Sequence, residues 1–399
     1  MKKLLTILLV LSLVGCSNGF TKVNINNSES SKTHAIWFSF LEYEQMLTGR
    51  SEAEFTTAVQ TMMSNLESLG INKIYAHASS YTDAFYKSSY YPWSKYCSGI
   101  LDEAPGFDPL AIIINEATLR NIKVDAWINP LRSFTEEELA GLDDKYLVKQ
   151  WYNDPSAKES HLMYANGRYY LNPGNKDVLT LIENVVKELC NNYTLTGIHI
   201  DDYFYPTEMS DELDQVTYQA YLAENPNTSI ADYRIHCTDV LVETIHSITK
   251  THKNYVFSIS PNANIQTNLT TYYADVEKWM KSKDYCDQMI PQIYFGFENE
   301  TMPFKEVVDQ WESLSNGKVD LLFGLAGYKV GKEDKYAGSG SQEWIENTDV
   351  LSRQLDYVSN QRYYDGIAIF RYYLIFYPEN ATYDQMQMEL SKLKVEMNK

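Results

Sequence analysis

Eight short apolar segments alternate with stretches of helical periodicity along almost the whole chain. The apolar segments, rich in β-branched and aromatic residues, cover residues 34–40, 71–78, 122–128, 197–201, 255–260, 288–294, 321–328 and 366–372. Between the first two segments, apolar side chains fall on one helical face at Phe55, Val59, Met62, Leu66 and Leu69. Strict alternation of strand and helix, repeated eight times, predicts an α/β fold, a (β/α)8 TIM barrel. An open doubly wound sheet is the alternative, and eight units of similar size favour closure.

The predicted barrel domain covers residues 33–399 of a 399-residue chain. This length is greater than that of most domains with a single core, but α/β barrels are the recognised exception. The longest connection from a strand to the next helix runs from Pro130 to about Lys176, after strand three. A connection of this length predicts a long substrate-binding loop or a small subdomain.

The first 32 residues have the pattern of a bacterial lipoprotein precursor. Lys2 and Lys3 precede an apolar run, residues 4–14, that is too short to span a bilayer and leads into Leu-Val-Gly-Cys. We therefore predict a signal peptide over residues 1–15 and a lipid on Cys16, which would anchor the protein to the extracytoplasmic face of a membrane. An ordinary secretory signal is the alternative. Residues 16–32 are rich in Ser and Asn and predict a flexible tether.

Charge, cysteine spacing and histidine spacing argue against several classes of function. The formal net charge of −19 argues against nucleic acid or an anionic membrane surface as the partner. The four cysteines other than Cys16 form no Cys-x-x-Cys pair, so no zinc ribbon is predicted, although one disulfide is compatible with them. A metal-dependent polysaccharide deacetylase typically needs histidines spaced His-x-x-x-His, and no pair here has that spacing. The sequence therefore predicts no cofactor and no metal, and it does not indicate an oligomeric state.

Strand parity predicts which side chains point toward the barrel axis. Apolar residues of one parity must face the surrounding helices, so residues of the other parity face inward. This rule places Asp125, Trp127 and Asn129 of strand three inside, with His199 and Asp201 of strand four. In strands five and six it places inside Ser258, Ser260, Gln292 and Tyr294. Because barrel enzymes carry their chemistry at the carboxyl ends of the strands, we expect a polar, aromatic-lined mouth there.

Two adjacent carboxylates, Asp201 and Asp202, end strand four in the segment GIHIDDYFYP. Asp202 has outward parity, but a bulge or turn at the end of the strand would bring it into the mouth as well. An acidic pair in a loop is most often solvated or caps a helix, and aromatic residues most often pack in a core. The position at the end of a barrel strand favours a functional pair. We expect His199 to be a hydrogen-bonded core residue and His77 to be structural.

Several blocks of the sequence resemble the glycosyl hydrolase-like 10 family. They occur in family order and read DAFYKSSYYPWSKYCSG (83–99), DPLAIIINEATLRNIKVDAWINPLR (108–132), LNPG (171–174), GIHIDDYFYP (197–206), SISPNANI (258–265), ADVEKWM (274–280) and PQIYFG (291–296). The resemblance covers roughly residues 33–372. It implies a (β/α)8 barrel, secreted or lipid-anchored in bacteria, that acts on glycosidic bonds, in some members those of peptidoglycan glycan strands.

The resemblance also implies a set of site residues. The family's motif positions correspond here to Asp83, Tyr86, Trp93, Trp127, Asn129, Arg132, Asn172, His199, Asp201, Asp202, Tyr203 and Tyr205. The sequence departs from the family motifs at two places. Asp125 replaces the histidine of the usual His-Ala-Trp motif, and Ser-Pro-Asn-Ala-Asn replaces the usual segment after strand five. The resemblance therefore does not fix the identity of the substrate. Asp125 would add one more acid to the mouth.

Glycoside hydrolysis needs one carboxylic acid to protonate the leaving oxygen and a second group to stabilise or attack the anomeric centre. We predict that Asp201 and Asp202 fill these two roles. If their side chains point in different directions, Asp83 or Asp125 would supply the second carboxylate. Retaining, inverting and substrate-assisted routes all remain open. In the last, one Asp holds an N-acetyl group of the substrate, and repulsion between neighbours keeps the other protonated.

We predict that Gln292, Tyr294 and Arg371 also bind the substrate. Peptidoglycan strands carry lactyl carboxylates that an acidic protein repels, so Arg132, Arg168 or Arg371 would have to offset that repulsion. A non-catalytic glycan-binding barrel at the cell surface is the alternative function.

Overall fold

Eight parallel strands close into a barrel in the computed structural model, which describes residues 32–399. In chain order, the strands inside and outside the barrel are β1 (Thr33–Phe38), β2 (Lys73–Ser79), β3 (Lys123–Ile128), β4 (Leu162–Ala165), β5 (Arg168–Leu171), β6 (Gly197–Ile200), β7 (Val256–Ile259), β8 (Gln288–Met289), β9 (Asp320–Ala326) and β10 (Tyr364–Phe370). Around the barrel the order is β1, β10, β9, β8, β7, β6, β3, β2, while β4 and β5 form a separate two-stranded sheet. The predicted (β/α)8 barrel is confirmed, and the open sheet is excluded.

Helices connect the strands, and the long ones pack their apolar faces against the outside of the barrel. They are α1 (Phe40–Met46), α2 (Glu52–Leu69), α3 (Lys95–Ser98), α4 (Pro109–Thr118), α5 (Glu136–Gly141), α6 (Leu147–Asn153), α7 (Pro155–His161), α8 (Lys176–Asn192), α9 (Gln215–Glu224), α10 (Ile230–Thr249), α11 (Ile265–Thr271), α12 (Val276–Trp279), α13 (Phe304–Leu314), α14 (Glu343–Glu346), α15 (Val350–Ser359), α16 (Tyr372–Phe376) and α17 (Tyr383–Met397). Short 3₁₀ turns lie at Gly327–Lys329, Gly338–Gly340 and Asn380–Thr382.

Helix α2 shows how the sequence sets the ends and the buried face of a helix. Ser51 and Glu54 form a reciprocal capping box at its start, and Gly70 ends it with a left-handed φ of 87°. The five apolar residues that predicted this helix are all buried. Burying that stripe against the barrel stabilises the helix more than its intrinsic propensity does.

The barrel strands alternate as strand parity predicts. Ile198 and Ile200 of β6 belong to the apolar layer between strands and helices. An interior cluster contains the inward side chains Ala35, Trp37, Tyr75, Trp127, Ile290, Leu322 and Ala368. Large rings therefore fill the barrel axis, and the space for a ligand lies above them, beyond the carboxyl ends of the strands.

The long connection after β3 is a small subdomain, as its length predicts. It contains α5, α6, α7 and the antiparallel hairpin of β4 and β5. Asn166 and Gly167 form the two-residue turn of this hairpin, both with positive φ, at 53° and 75°. An isolated bridge between Arg132 and Tyr170 joins the hairpin to the segment that follows β3. The hairpin therefore lies next to the mouth of the barrel.

Strand β8 is much shorter than the predicted segment 288–294. Only Gln288 and Met289 form regular ladder pairs, and Gln292 makes isolated bridges beyond them. Pro291 has no amide hydrogen to donate, so the ladder cannot continue regularly through it.

The predictions for the first 32 residues fall at or beyond the limit of the structure. The signal peptide over residues 1–15, the lipid on Cys16 and the tether over residues 16–32 lie outside the described residues, apart from residue 32. Between residues 32 and 399, no helix is long and apolar enough to cross a membrane. Cysteines 97, 190, 237 and 286 are all free thiols and buried.

Candidate active site

A cavity of about 420 Å³ opens at the carboxyl ends of the barrel strands. It is lined by Trp37, Ser39, Phe40, Leu41, His77, Tyr81, Trp127, Asn129, Arg132, Asp201, Asp202, Tyr203, Gln292, Tyr294, Tyr328 and Phe370. Eight of these residues were predicted from the sequence, namely Trp127, Asn129, Arg132, Asp201, Asp202, Tyr203, Gln292 and Tyr294. Aromatic walls around a few polar groups are typical of a site that binds a small organic ligand or a sugar.

The two adjacent aspartates both face this cavity because β6 ends at Ile200, before either of them. The Oδ1 atom of Asp201 accepts a hydrogen bond from the backbone N–H of Tyr203, at 3.1 Å. This bond closes a local turn of the kind that Asp favours. The chain therefore leaves strand geometry at once, and the outward parity expected of Asp202 no longer applies. Asp201 is 5% exposed, and Asp202 is partly buried.

Burial raises the pKa of both carboxyl groups, to different extents. The pKa of Asp201 lies well above its ordinary value, first because of burial and then because of the negative charge of Asp202. Burial also raises the pKa of Asp202, but hydrogen bonding to the Gln292 side chain and the charge of Arg132 oppose the rise. Because each negative charge disfavours the other, the pair favours a state in which one carboxyl group keeps its proton while the other is ionised.

Arg132 lies against two aromatic rings at the edge of the cavity. Its guanidinium carbon is 3.7 Å from the ring centroid of Tyr203 and 4.3 Å from that of Tyr81. The Nη2 atom donates a hydrogen bond of 2.8 Å to the Tyr81 hydroxyl. The positive charge lowers the pKa of both aspartates and so limits the effect of burial.

His77 lines the cavity, although the sequence predicted only a structural role. Its imidazole stacks on the indole of Trp127, with ring centroids 3.4 Å apart. Burial lowers the pKa of His77 well below its usual value, so the ring is neutral. Its Nδ1 accepts a hydrogen bond of 3.0 Å from the Phe40 amide, which places the remaining proton on Nε2. Inward parity at the carboxyl end of β2 was the signal that could have identified it.

Several buried polar atoms of the lining have no hydrogen-bond partner within the described part of the chain. They are His77 Nε2, Trp127 Nε1, Arg132 Nε and both polar side-chain atoms of Asn129. Buried polar atoms are normally paired, so a cluster of unpaired ones is a feature of a binding site. The donors and the acceptor among them suit the hydroxyl and amide groups of a sugar.

The loop after β2 carries three predicted residues that do not line the cavity. The Asp83 carboxylate accepts bonds of 2.8 Å from the amides of Ser80 and Tyr81, so it shapes the turn that presents Tyr81. Tyr86 is buried and donates to Glu188, at 3.1 Å. Trp93 packs partly buried against the outer apolar layer. None of these three side chains lines the cavity, so their contact with the substrate stays a prediction, and the Asp83 carboxylate lies outside the cavity that contains the aspartate pair.

Asp125 and His199 point into the barrel but lie below the cavity. Asp125 is fully buried and forms an ion pair of 2.7 Å with Lys73, so the prediction that it adds an acid to the mouth is wrong. His199 is fully buried, accepts from the Trp37 indole at 3.0 Å and contacts Ser258 Oγ at 2.8 Å. The predicted hydrogen-bonded core histidine is confirmed, whereas direct contact with the substrate is not.

Three further predicted residues hold parts of the chain outside the cavity. Asn172 donates to the Ser160 carbonyl oxygen and to Thr217 Oγ1, at 3.1 and 3.0 Å. Tyr205 is buried in a separate cluster of tyrosines. Arg371 forms an ion pair with the buried carboxylate of Glu42. None of the three side chains lines the cavity, and each makes its contacts with other parts of the protein.

The aromatic lining includes rings that the sequence analysis did not single out. Trp37, Phe40, Tyr81, Tyr328 and Phe370 come from the ends of β1, β2, β9 and β10 and from the loops that follow. Their positions depend on how loops of different length fold back over the mouth. Among residues 32–399, no group of three or more His, Cys, Asp or Glu side chains is arranged to hold a metal ion.

The model of a known protein family, described as Glycosyl hydrolase-like 10, matches residues 33–346. The chain belongs to this family. Glycosyl hydrolase YngK of Bacillus subtilis (strain 168) is 29% identical over an alignment of 323 residues, which covers 76% of this chain and 61% of YngK. Glycosyl hydrolase DigH of Escherichia coli (strain K12) is 28% identical over an alignment of 331 residues, which covers 77% of this chain and 74% of DigH. The chain thus spans about three fifths to three quarters of these relatives.

Solved structures confirm the fold of this family member. The glycoside hydrolase domain of PgaB (BpsB) from Bordetella bronchiseptica has a TM-score of 0.57 at 13% identity, covering 90% of this chain and 99% of that domain. The catalytic domain of β-amylase from Paenibacillus polymyxa has a TM-score of 0.58 at 10% identity, covering 91% of this chain and 99% of that one. Identities this low show a shared barrel architecture.

Proposed function

We propose that this protein is a glycoside hydrolase that cleaves O-glycosidic bonds in a polysaccharide, with Asp201 as the general acid. The observation that carries the proposal is the buried pair of adjacent carboxyl groups in an aromatic-lined cavity at the carboxyl end of the barrel. Membership of a glycosyl hydrolase-like family supports it. Asp201 is the more buried of the two, and burial together with the charge of Asp202 raises its pKa, which favours the protonated form that a general acid needs.

Asp202 is the group that carries negative charge during the reaction. Burial raises its pKa, but the Gln292 side chain and the charge of Arg132 oppose this rise because they stabilise the charged form. An ionised carboxylate close to the anomeric carbon stabilises the positive charge that develops there as the bond breaks. The proton of Asp201 passes to the leaving oxygen, and Asp201 then takes a proton from the water that completes hydrolysis.

A substrate-assisted route explains why the two aspartates are neighbours. In this route the carbonyl oxygen of a substrate acetamido group attacks the anomeric carbon and forms a ring, while Asp201 protonates the leaving oxygen. Asp202 orients the acetamido N–H and stabilises its positive charge. Water then opens the ring and gives the hydrolysed sugar. We therefore propose N-acetylated glycans as the substrates, with peptidoglycan glycan strands among them.

The aromatic lining is compatible with a second function, binding of a glycan without cleavage. Tyr203, Tyr294, Tyr328 and Phe370 offer ring faces of the kind that stack on sugars. Such a platform would remain if the aspartates had no chemical role. Cleavage and binding therefore have to be measured separately.

The test is release of reducing ends by the soluble domain, residues 33–399, from a panel of purified glycans. Chitin oligosaccharides and their de-N-acetylated counterparts form a matched pair within the panel, and peptidoglycan strands with and without stem peptides form another. We expect release from an N-acetylated glycan and little from its de-N-acetylated counterpart. Binding without any release of reducing ends would contradict the hydrolase proposal and favour the glycan-binding barrel.

We also propose that a lipid on Cys16 anchors the protein to the extracytoplasmic face of a bacterial membrane. The proposal rests on the charged start, the short apolar run and the Leu-Val-Gly-Cys segment that precede residue 17. Partition into detergent after expression in a bacterium tests it. The full chain should enter the detergent phase, and a Cys16→Ala chain should not. Equal partition of the two chains would contradict the anchor.

A further inference from the structure

Arg132 lines the active-site cavity and Arg168 lies against Tyr81, which also lines it, and neither arginine has a carboxylate partner among residues 32–399. Arginines with a carboxylate oxygen within 4.0 Å are Arg120, Arg234, Arg353 and Arg371. Neither Arg132 nor Arg168 has such a partner in the part of the chain that the structure describes. The protein has a formal net charge of −19, so acidic partners are abundant. Two arginines that lie next to a cavity and have no carboxylate partner in the described part of the chain are therefore candidates for binding an anion of the substrate.

The two guanidinium groups share one aromatic ring, that of Tyr81. Each guanidinium carbon lies 4.3 Å from the centroid of this ring, so the two positive charges are separated by no more than twice that distance. Cation–π attraction favours each contact with the ring. Repulsion between the two cations opposes the arrangement. An anion bound close to both groups would offset this repulsion.

Hydrogen bonds fix both arginines while leaving donors free. Arg168 Nη1 donates to the Ser133 carbonyl oxygen at 2.7 Å, and Arg132 Nη2 donates to the Tyr81 hydroxyl at 2.8 Å. Arg132 Nε is buried and has no hydrogen-bond partner among residues 32–399. The two side chains are therefore held in place, which lowers the entropy that a ligand must overcome to engage them.

We propose that Arg132 and Arg168 form a cationic subsite that binds the carboxylate of an acidic sugar residue next to the scissile bond. This inference rests on the proposed function, because it specifies the class of glycan that the cavity takes. The planar fork of a guanidinium matches the two oxygens of a carboxylate. The subsite also offsets locally the long-range repulsion between an acidic protein and an acidic glycan. The carboxylate is either that of a uronic acid or that of a lactyl ether substituent.

Binding is measured by calorimetry on the Asp202→Asn domain, so that no probe is consumed. The probes are oligogalacturonate and an alternating N-acetylglucosamine and N-acetylmuramic acid tetrasaccharide, each as the free acid and as the methyl ester. We expect the free acid of at least one pair to bind about tenfold or more tightly than its ester. The pair that shows this difference identifies the source of the carboxylate.

Variants of Arg168 test whether the subsite causes the tighter binding of the free acid. Arg168→Gln should remove the difference between acid and ester. Arg168→Lys keeps the positive charge and should retain part of that difference. Arg362→Gln is the matched control, because Arg362 is exposed, stacks only on Tyr363 and precedes β10 at the opposite end of the barrel. Thermal unfolding of each variant identifies any loss of folding.

Equal binding of acid and ester in both pairs would overturn the proposal, and so would a preference that survives Arg168→Gln in a folded protein. Hydrolysis by the wild-type domain is measured on the same probes and on chitin oligosaccharides. Turnover without any preference for the free acids would leave the hydrolase proposal intact and reject the subsite. A preference in binding without turnover of any glycan would reject the hydrolase and retain the subsite.

Discussion

The indole nitrogen of Trp37 donates a hydrogen bond of 3.0 Å to Nε2 of His199 across the interior of the barrel. Burial lowers the pKa of His199 well below its usual value, so the ring is neutral. Since Nε2 accepts, the proton lies on Nδ1 and is donated to Ser258 Oγ at 2.8 Å. Trp37 lines the cavity and His199 does not. His199 therefore acts on the site by holding Trp37 in position.

Replacement of His199 should destabilise the protein in a way that depends on the new side chain. His199→Leu leaves the Trp37 N–H buried without an acceptor, at a cost on the order of 1–3 kcal/mol in the free energy of unfolding. His199→Gln offers an amide oxygen at a similar place and should lose less. Urea denaturation measures both. A His199→Leu protein as stable as the wild type would show that the hydrogen bond contributes nothing.

Asp201→Asn should stabilise the protein at pH values above the folded pKa of Asp201. That pKa is raised above its ordinary value of 3.8, so the folded state binds more protons than the unfolded state between these two pKa values. The free energy of unfolding therefore falls as pH rises through this window, by about 1.4 kcal/mol for each pH unit. Asparagine cannot ionise, so the variant avoids this loss.

Thermal or urea unfolding at a series of pH values measures this effect. The stability advantage of Asp201→Asn should be largest above the folded pKa and should vanish as pH falls below the ordinary pKa of 3.8. Asp356→Asn is the control, because Asp356 is exposed on α15. An advantage that does not change with pH would point to packing, not to ionisation.

The charge of Arg132 should set the pH range of activity. Arg132 lowers the pKa of both aspartates, so Arg132→Gln should raise both pKa values. The acid must be protonated and its partner ionised, so both limbs of the pH profile of kcat/KM should move upward, by about one pH unit. Arg132→Lys keeps the charge and should leave the limbs close to their original positions. If both limbs of the pH profile stay in place in Arg132→Gln, the charge of Arg132 does not set the pKa values of Asp201 and Asp202.

The ion pair between Lys73 and Asp125 should matter for stability and not for catalysis. The two side chains are 3% and 0% exposed. Asp125→Leu leaves a buried lysine without its partner and should cost about 3–5 kcal/mol, whereas Lys73→Met combined with Asp125→Leu should be close to neutral. Urea denaturation measures these stabilities. A normal kcat/KM in the double variant would agree with a position below the cavity, and a large loss would place Asp125 in the reaction.

Strand parity predicted the direction of side chains from the sequence, but not their height in the barrel. Asp125 and Asp201 both point inward as predicted, yet Asp125 is the third residue of β3 and Asp201 follows the last residue of β6. Height depends on the stagger between neighbouring strands, and that stagger is fixed by pairing across the whole barrel. The stagger therefore cannot be read from the residues of one strand alone.

Loop residues were predictable only where a motif marked them. Arg132 and Tyr203 were carried over from the family resemblance and do line the cavity, whereas Asp83 came from the same resemblance and shapes a turn. Tyr81 was not singled out, because its place at the cavity depends on the turn that Asp83 closes. Asp202 faces the cavity because β6 ends at Ile200, before either aspartate. The alternation of apolar residues in the sequence does not locate this end of the strand.

The measurement that tests the central claim most directly compares turnover by wild-type, Asp201→Asn and Asp202→Asn domains on a glycan that the wild type cleaves. Each substitution should lower kcat by about 10² to 10⁴-fold while the protein remains folded and still binds the glycan. Asp356→Asn should keep wild-type activity. Full activity in either active-site variant would contradict a mechanism based on this pair and would require a different pair of groups to carry the reaction.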